Sequence, residues 1–326
     1  MGIVSRLIRK HLVETGELTK LNILTCPTHE AYETNLCKTG HEFFAVRGQG
    51  IKDWETKYRP LPDNYTLLNK DLPAVDFDLV LCQNRFGQYP VLAKIAQELH
   101  LPLIWLEHTL PVPNWPFEYK MQISNMRGFK NLYISEFSLN AWGVHGDVLH
   151  HGIDTELFNN TNQVRQPVLL SVCNDWINRD WCCGFNLWKN ITQGLPVKPV
   201  GATPGLSEPA KSVDELIGFY NSHDIFLNTS LVSPVPTSLM EAMACGCAVV
   251  STNTCMIPEV IEHGLNGFMV KTPEELRFYC EKLLSDPTLC RRMGEAARKT
   301  IQNKFGIDKF VQNWNRTFFN TVKEWM

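Results

Sequence analysis

Residues 233–252 read SPVPTSLMEAMACGCAVVST. Two prolines open the stretch, each fixing φ, so the first four residues form a stiff loop. TSLMEAMACG then carries apolar residues at helical spacing up to Gly246, and CAVVST at 247–252 is a short apolar, β-branched run of the kind that fills a buried strand. DIFLNTS at 224–230 reads as a strand leading into the same loop. Strand, loop, helix and strand at this spacing predict a parallel βαβ unit.

The same pattern extends outward in both directions. On the C-terminal side of the chain, PVLLSVC at 167–173 reads as a strand, and DELIGFYNSH at 214–223 and PEELRFYCEKLLSD at 273–286 read as helices. A short helix is expected from Pro258 and a glycine-rich turn at 264–267. In the first half, LNILTC at 21–26, DLVLCQ at 78–83, PLIWLEH at 102–108 and NLYIS at 131–135 are predicted strands. Between two of them VLAKIAQELH at 91–100 is an amphipathic helix ending before Pro102.

Residues 150–166 lose apolar periodicity and fill with Asn, Gln and Thr, which marks them as an interdomain linker. The final DKFVQNWNRTFFNTVKEWM has apolar residues at helical spacing and is expected to pack back across the domains. A chain of 326 residues also exceeds one ordinary core. The fold class is therefore α/β, with two Rossmann-like domains. One comprises 1–153 joined by the helix 306–326, the other 154–305. Open α/β sheets bind ligands at the carboxyl ends of their strands, so function is expected in a cleft that the two domains face.

Composition excludes several classes. With 31 basic against 34 acidic residues, no overall field draws in nucleic acid, although a local basic patch remains open. The eleven cysteines are odd in number and contain no CxxC pair, which argues against a disulfide framework or zinc ribbon and for reduced thiols in the cytoplasm. MGIVSRLIRKHL lacks the apolar core of a signal peptide, and no run is long enough to span a membrane. It is nevertheless amphipathic. Ile3, Val4, Leu7, Ile8 and Leu12 oppose Arg6, Arg9 and Lys10, which describes either a helix packed on its own domain or one making peripheral contact with an anionic membrane.

The chemistry concentrates after the loop. Thr237 or Ser238 is placed to cap the helix, whose free backbone N–H groups and positive dipole end attract phosphate. Glu241, one turn in, is a hydroxyl acceptor suited to a sugar or ribose. Arg179 is suited to clamp a phosphate, or alternatively to pair with neighbouring Asp180 on the surface. His29 and Glu30 follow the first strand, where they meet either a ligand or the start of the next helix. The DxD of Asp76 to Asp78 leads directly into a strand and reads as a loop, HEAYE lacks the second histidine of a zinc protease, and no GxGxxG fingerprint occurs. No metal or cofactor is expected.

LMEAMACGCAVVSTNTCMIPEVIEHGLNGFMV at 239–270 resembles the signature of the retaining, family-four glycosyltransferases of GT-B fold, the glycosyl transferases group 1. In that signature a Glu precedes a second Glu by eight positions, followed by EAMACG, a buried strand and a "PE" helix. VLHHGIDTELF at 148–158 is similar to the family's interdomain "NGVDTELF", and NSHDIFLNTS at 221–230 to its "ADVFLLPS" strand. The resemblance implies metal-independent transfer of a hexose-like sugar from a nucleotide diphosphate sugar, UDP- or GDP-linked, to a glycan, lipid or other hydroxyl acceptor. It implies that Glu241 binds the ribose and that Ser233, Pro234, Thr237, Ser238 and Leu239 lie in the segment holding the diphosphate.

The family's Arg and Lys after the strand 167–173 are matched by Asn174 and Arg179, and its cleft histidine by His108. Ser233 stands where the family has its first Glu, and Pro236 where it has a glycine, which removes a charge and a backbone donor. Those departures keep two alternatives open, a noncatalytic nucleotide- or glycan-binding protein of the same fold and a DNA-modifying glycosyltransferase.

Overall fold

A computed structural model describes residues 3–48, 50–69, 72–84, 87–111 and 115–325. The chain forms two compact units, Met1–Gly152 with Asp308–Met326, and Ile153–Ile307.

The first unit holds strands β1 (Asn22–Thr25), β2 (Glu42–Ala45), β3 (Tyr65–Leu67), β4 (Leu79–Cys82), β5 (Leu103–Glu107), β6 (Lys130–Tyr133) and β7 (Asp147–Val148). Its helices are α1 (Ile3–Thr15), α2 (Glu30–Cys37), α3 (Gln88–Leu99), α4 (Phe117–Ser124) and α5 (Glu136–Trp142). All seven strands run parallel in the order β3-β2-β1-β4-β5-β6-β7. Every residue of β4 and β5 is buried, as expected of strands covered on both faces. Strands β3 and β7 escape sequence reading because three and two residues are too few for a periodic signal, and β2 is a further strand that the sequence reading did not place. Helix α1 is tied to its own unit, since the Arg9 guanidinium donates twice to Asp78 at 2.6 Å and Val13 is buried, while Val4 and Ile8 are exposed. Asp78 also accepts from the Asn22 amide at 2.8 Å, so the DxD secures a strand start.

The second unit contains β8 (Gln166–Val172), α6 (Asp180–Cys183), α7 (Phe185–Ile191), β9 (Val197–Val200), α8 (Val213–Ser222), β10 (His223–Asn228), α9 (Thr237–Ala244), β11 (Ala248–Thr252), α10 (Ile257–Val260), β12 (Phe268–Val270), α11 (Pro273–Ser285) and α12 (Pro287–Phe305). Its five strands are parallel in the order β12-β11-β10-β8-β9. Pro199 sits in β9, an edge strand, where a missing N–H costs least. The last helix, α13 (Ile307–Glu324), returns the chain to the first unit. There Trp314 is fully buried and donates to the Tyr32 hydroxyl at 3.0 Å, and Phe318 packs against His41.

Of residues 150–166, read from composition as a linker, 153–166 are seated in the second unit. The Ile153 amide bonds the Phe305 carbonyl at 2.8 Å, and Phe158 lies in the core beside Tyr220. Arg298 donates to the carbonyls of Phe158, Thr155 and Ala244, and Arg165 to that of Cys245 at 2.5 Å. Two arginines thus bond the last carbonyls of α9, which have no partner further along the helix, while pinning this segment beside it. Apart from Ile153 and Phe158, polar bonds to the backbone rather than apolar side chains hold the segment, which is why it shows no hydrophobic period.

Helix α12 packs on the end of α9 through a close approach of two glycines. A Cβ on Gly294 would lie 2.1 Å from the Gly246 carbonyl oxygen, and Gly246 itself has φ +85°. We expect Gly294→Ala to destabilise the second unit by about 1–3 kcal/mol through overpacking. Gly218→Ala, in α8 with nothing within 4 Å of its Cβ, should stabilise it by about 0.5–1 kcal/mol. Urea unfolding of both variants checks the pair, and equal effects would refute the close-packing account.

Candidate functional site

In each sheet the strand order reverses once, between β1 and β4 in the first unit and between β10 and β8 in the second. Crevices form outside the carboxyl ends of strands at such a reversal. The loops that follow these strands carry the residues singled out in the sequence.

In the second unit, Cys173, Asn174 and Asp175 follow β8. The Asn174 side-chain oxygen accepts from the Ala202 amide at 2.8 Å, joining this loop to the one after β9. Arg179 immediately precedes α6 and its guanidinium reaches the Asn174 carbonyl at 3.5 Å. Among the described residues it forms no ion pair with Asp180. That carboxylate accepts instead from the Asn186 amide at 2.7 Å and side chain at 2.6 Å. Arg179 therefore keeps an exposed cationic group beside the end of β8.

The loop after β10 is bound to the same helix. The amides of Leu231 and Val232 both donate to the Cys182 carbonyl, and the Thr229 hydroxyl donates to that of Cys183. Gly184 lets the two segments touch, since with φ +66° its Cβ would fall 2.1 Å from the Thr229 carbonyl oxygen. The Ser230 carbonyl is held by the hydroxyls of Thr252 and Thr254. The Ser233 hydroxyl folds back onto the Val235 carbonyl at 3.2 Å, within the loop that contains Pro234.

Helix α9 starts differently from the expectation of a Thr237 or Ser238 cap. Pro236 occupies the capping position with no side-chain bond, and Thr237 and Ser238 form the first helical turn. The Thr237 amide bonds the Val235 carbonyl at 3.0 Å, whereas among the described residues the amides of Ser238 and Leu239 have no acceptor. Proline, having no hydroxyl, leaves those two donors to a ligand or solvent. Glu241 is half-buried in the next turn, and the Tyr220 hydroxyl donates to its Oε2 at 2.9 Å.

In the first unit a buried polar chain starts behind β1. Glu33 Oε2 accepts from the amides of Thr28 at 2.8 Å and His29 at 3.0 Å, while Oε1 accepts from the Tyr65 hydroxyl at 2.7 Å and the Gln83 amide group at 3.3 Å. Burial pushes the Glu33 carboxyl up to about 7 against the pull of those donors. Because Gln83 gives its nitrogen to Glu33, its Oε1 faces His108 Nε2 at 3.1 Å, and that ring nitrogen must carry the hydrogen. Burial lowers the His108 pKa to about 3, with His29 adding to the effect, so the ring is neutral at pH 7.

His29 caps α2, its Nδ1 accepting from the Tyr32 amide at 3.3 Å. Glu30 accepts from Lys52 at 2.6 Å and from the Glu55 amide at 3.1 Å, and although burial alone would raise its pKa, these partners hold it below the usual value. A cavity of about 990 Å³ opens beyond β2 and β3, lined in part by Arg47, Lys52, Asp53 and Asn69.

A family profile described as Glycosyl transferases group 1 matches residues 209–300. An uncharacterized glycosyltransferase of Methanocaldococcus jannaschii is 30% identical over 86% of this chain and 87% of its own. This chain belongs to the group 1 glycosyltransferases. The N-acetyl-alpha-D-glucosaminyl L-malate synthase of Bacillus anthracis is 33% identical over 88 residues, a match limited to 26% of this glycosyltransferase and 23% of that enzyme. Anabaena HepE, solved in complex with UDP-glucose, superposes with a TM-score of 0.73 at 15% identity over 92% of this chain and all of its own, a likeness of fold. The glycosyltransferase thus has the GT-B architecture of two Rossmann-like units.

Sequence reasoning missed Tyr220, Glu33 and Gln83. Tyr220 reads as a core residue of α8, and Glu33 and Gln83 as ordinary helix and strand-end polars, because only three-dimensional pairing reveals their partners. Among the described residues, no helix of this glycosyltransferase is long and apolar enough to cross a membrane.

Burial lowers the pKa values of His29, His41 and His151 as it does that of His108, with His41 brought to about 4. A histidine that binds its proton less readily when folded contributes stability above its unfolded value of 6.5, and this is lost as pH falls through the folded value. Glu33 has the opposite sign, its contribution being full below 4.5 and lost as pH rises towards about 7. Burial lowers His223 likewise and raises Asp224, so among the described residues five histidines stand against two carboxyls and outweigh them. The urea midpoint should fall as pH drops from 6.5 towards 4, and His108→Gln should flatten that fall; an unaltered slope would assign it to other groups.

Proposed function

We propose that this glycosyltransferase moves a sugar from a nucleotide diphosphate sugar, UDP- or GDP-linked, to a glycan, lipid or other hydroxyl acceptor, with retention of anomeric configuration. The donor lies on the second unit and the acceptor on the first. The observation carrying this reading is the uncapped first turn of α9, with Ser238 and Leu239 amides available one turn from Glu241 at the strand-order reversal.

In this reading the two amides and the helix dipole receive the diphosphate. Glu241 accepts from the ribose hydroxyls. Arg179 opposes the charge that grows on the leaving diphosphate as the glycosidic bond breaks, so that protein groups rather than a metal ion supply the neutralisation. Asn174 fixes the Arg179 loop through the Ala202 amide. His108, neutral at pH 7, serves the sugar as a hydrogen-bonding group rather than as a proton donor.

His29 and Glu30 shape the start of α2, and the cavity near Arg47 and Asn69 suits a polar acceptor. Ser233 provides a hydroxyl where the family signature has a carboxylate, and its bond to Val235 favours a second reading in which nucleotide binds without turnover.

Calorimetric titration with UDP, GDP, ADP and TDP separates these readings, with UDP first because HepE was solved with UDP-glucose. One nucleotide should bind selectively, and Glu241→Ala should weaken it by about ten- to a hundredfold, the range for hydrogen bonds to a charged group. Arg179→Ala should lower kcat by about a hundredfold or more while changing nucleotide affinity far less, as loss of a transition-state contact does. Nucleotide binding without turnover of any donor sugar would select the noncatalytic reading, and full activity in both variants would displace the site.

A further inference from the structure

We infer that Tyr220 is a positioning residue that holds Glu241 in the orientation in which its carboxylate meets the ribose hydroxyls of a nucleoside diphosphate. The inference rests on the reading of Glu241 given above. Tyr220 comes from α8 rather than from the helix carrying Glu241, and its ring is wholly buried, 6.3 Å from that of Phe158 and 6.0 Å from that of Phe226. Its backbone is equally constrained, the Tyr220 carbonyl accepting from Arg165 at 3.3 Å and from the Cys247 thiol at 3.1 Å. With ring and backbone held in this way, the hydroxyl oxygen is fixed beside Glu241 and donates to its Oε2 at 2.9 Å.

Burial first, and then the adjacent carboxylate, keep the phenol pKa well above its ordinary value, so the group stays a donor throughout the working pH range. A glutamate side chain has three torsions, and an unrestrained one would lose that freedom on meeting a ligand. The Tyr220 bond orders it beforehand. A carboxylate has about four acceptor sites, so the Tyr220 bond does not by itself exhaust them.

The experiment is calorimetry with UDP and 2′,3′-dideoxy-UDP, and with the corresponding GDP pair, on the wild-type chain, Tyr220→Phe, Glu241→Ala and the double variant. The wild-type chain should prefer the ribonucleotide. Tyr220→Phe, which keeps the ring in its pocket, should weaken the ribonucleotide by about five- to tenfold, the usual worth of one hydrogen bond, and leave the dideoxy compound unchanged. The double variant should bind no more weakly than Glu241→Ala alone, because the two residues act as one unit.

If Glu241→Ala abolishes the ribose preference while Tyr220→Phe leaves it intact, or weakens both nucleotides equally, the positioning role is overturned and the reading of Glu241 stands. If Glu241→Ala leaves the preference unchanged, or neither ribonucleotide binds the wild-type chain, the reading of Glu241 fails and the inference fails with it.

Discussion

The reversal of strand order in a parallel sheet is the constraint on which the other features depend. Crossovers to the two sides of a reversal leave in opposite directions, so the loops at its carboxyl edge splay apart instead of covering one another. In the second unit this happens between β10 and β8. The loops after those two strands would be independent of each other were it not for α6, whose Cys182 and Cys183 carbonyls take three bonds from the β10 loop. The placement of Arg179 relative to the start of α9 follows from that stitching.

The two ends of helix α9 are satisfied in different ways. At its C-terminus Arg165 and Arg298 bond the Cys245 and Ala244 carbonyls, so that end of the helix is neutralised by protein. At its N-terminus proline replaces a capping side chain, and two amides are left without a protein acceptor among the described residues. The polar groups of the helix end that meets protein are satisfied internally, whereas those of the other end face solvent or ligand. The close Gly246–Gly294 approach brings α12 against the C-terminal end of α9.

The first unit handles its polar residues in another way. Glu33 accepts four hydrogen bonds in the interior, and through Gln83 it decides which nitrogen of His108 bears hydrogen. A buried network of this kind is rigid because each member is oriented by the next, and leaving any one unpaired is costly. The neutral state of His108 at pH 7 is a consequence of that burial.

Much of the architecture was legible in the chain itself. The long buried strands and the amphipathic helices around 91–100, 214–223 and 273–286 carry strong periodic signals, and the stretch 233–252 placed a loop, a helix start and Glu241 in order. The short strands β2, β3, β7, β9 and β12 were not legible, nor was the long helix α12, whose buried residues are interspersed with arginines and lysines. Residues 150–166 read as a linker because carbonyl bonds to arginine leave no trace in hydropathy. Local sequence thus determined which segments become strands or helices and which residue types border the strand ends, since periodicity and loop chemistry act over a few residues. Only the tertiary structure decided that Pro236 rather than a hydroxyl begins α9, that Tyr220 meets Glu241 and that Glu33 sets the His108 tautomer. Those outcomes depend on groups brought together from distant parts of the chain, and hydrogen-bond direction is defined only once both partners are in place.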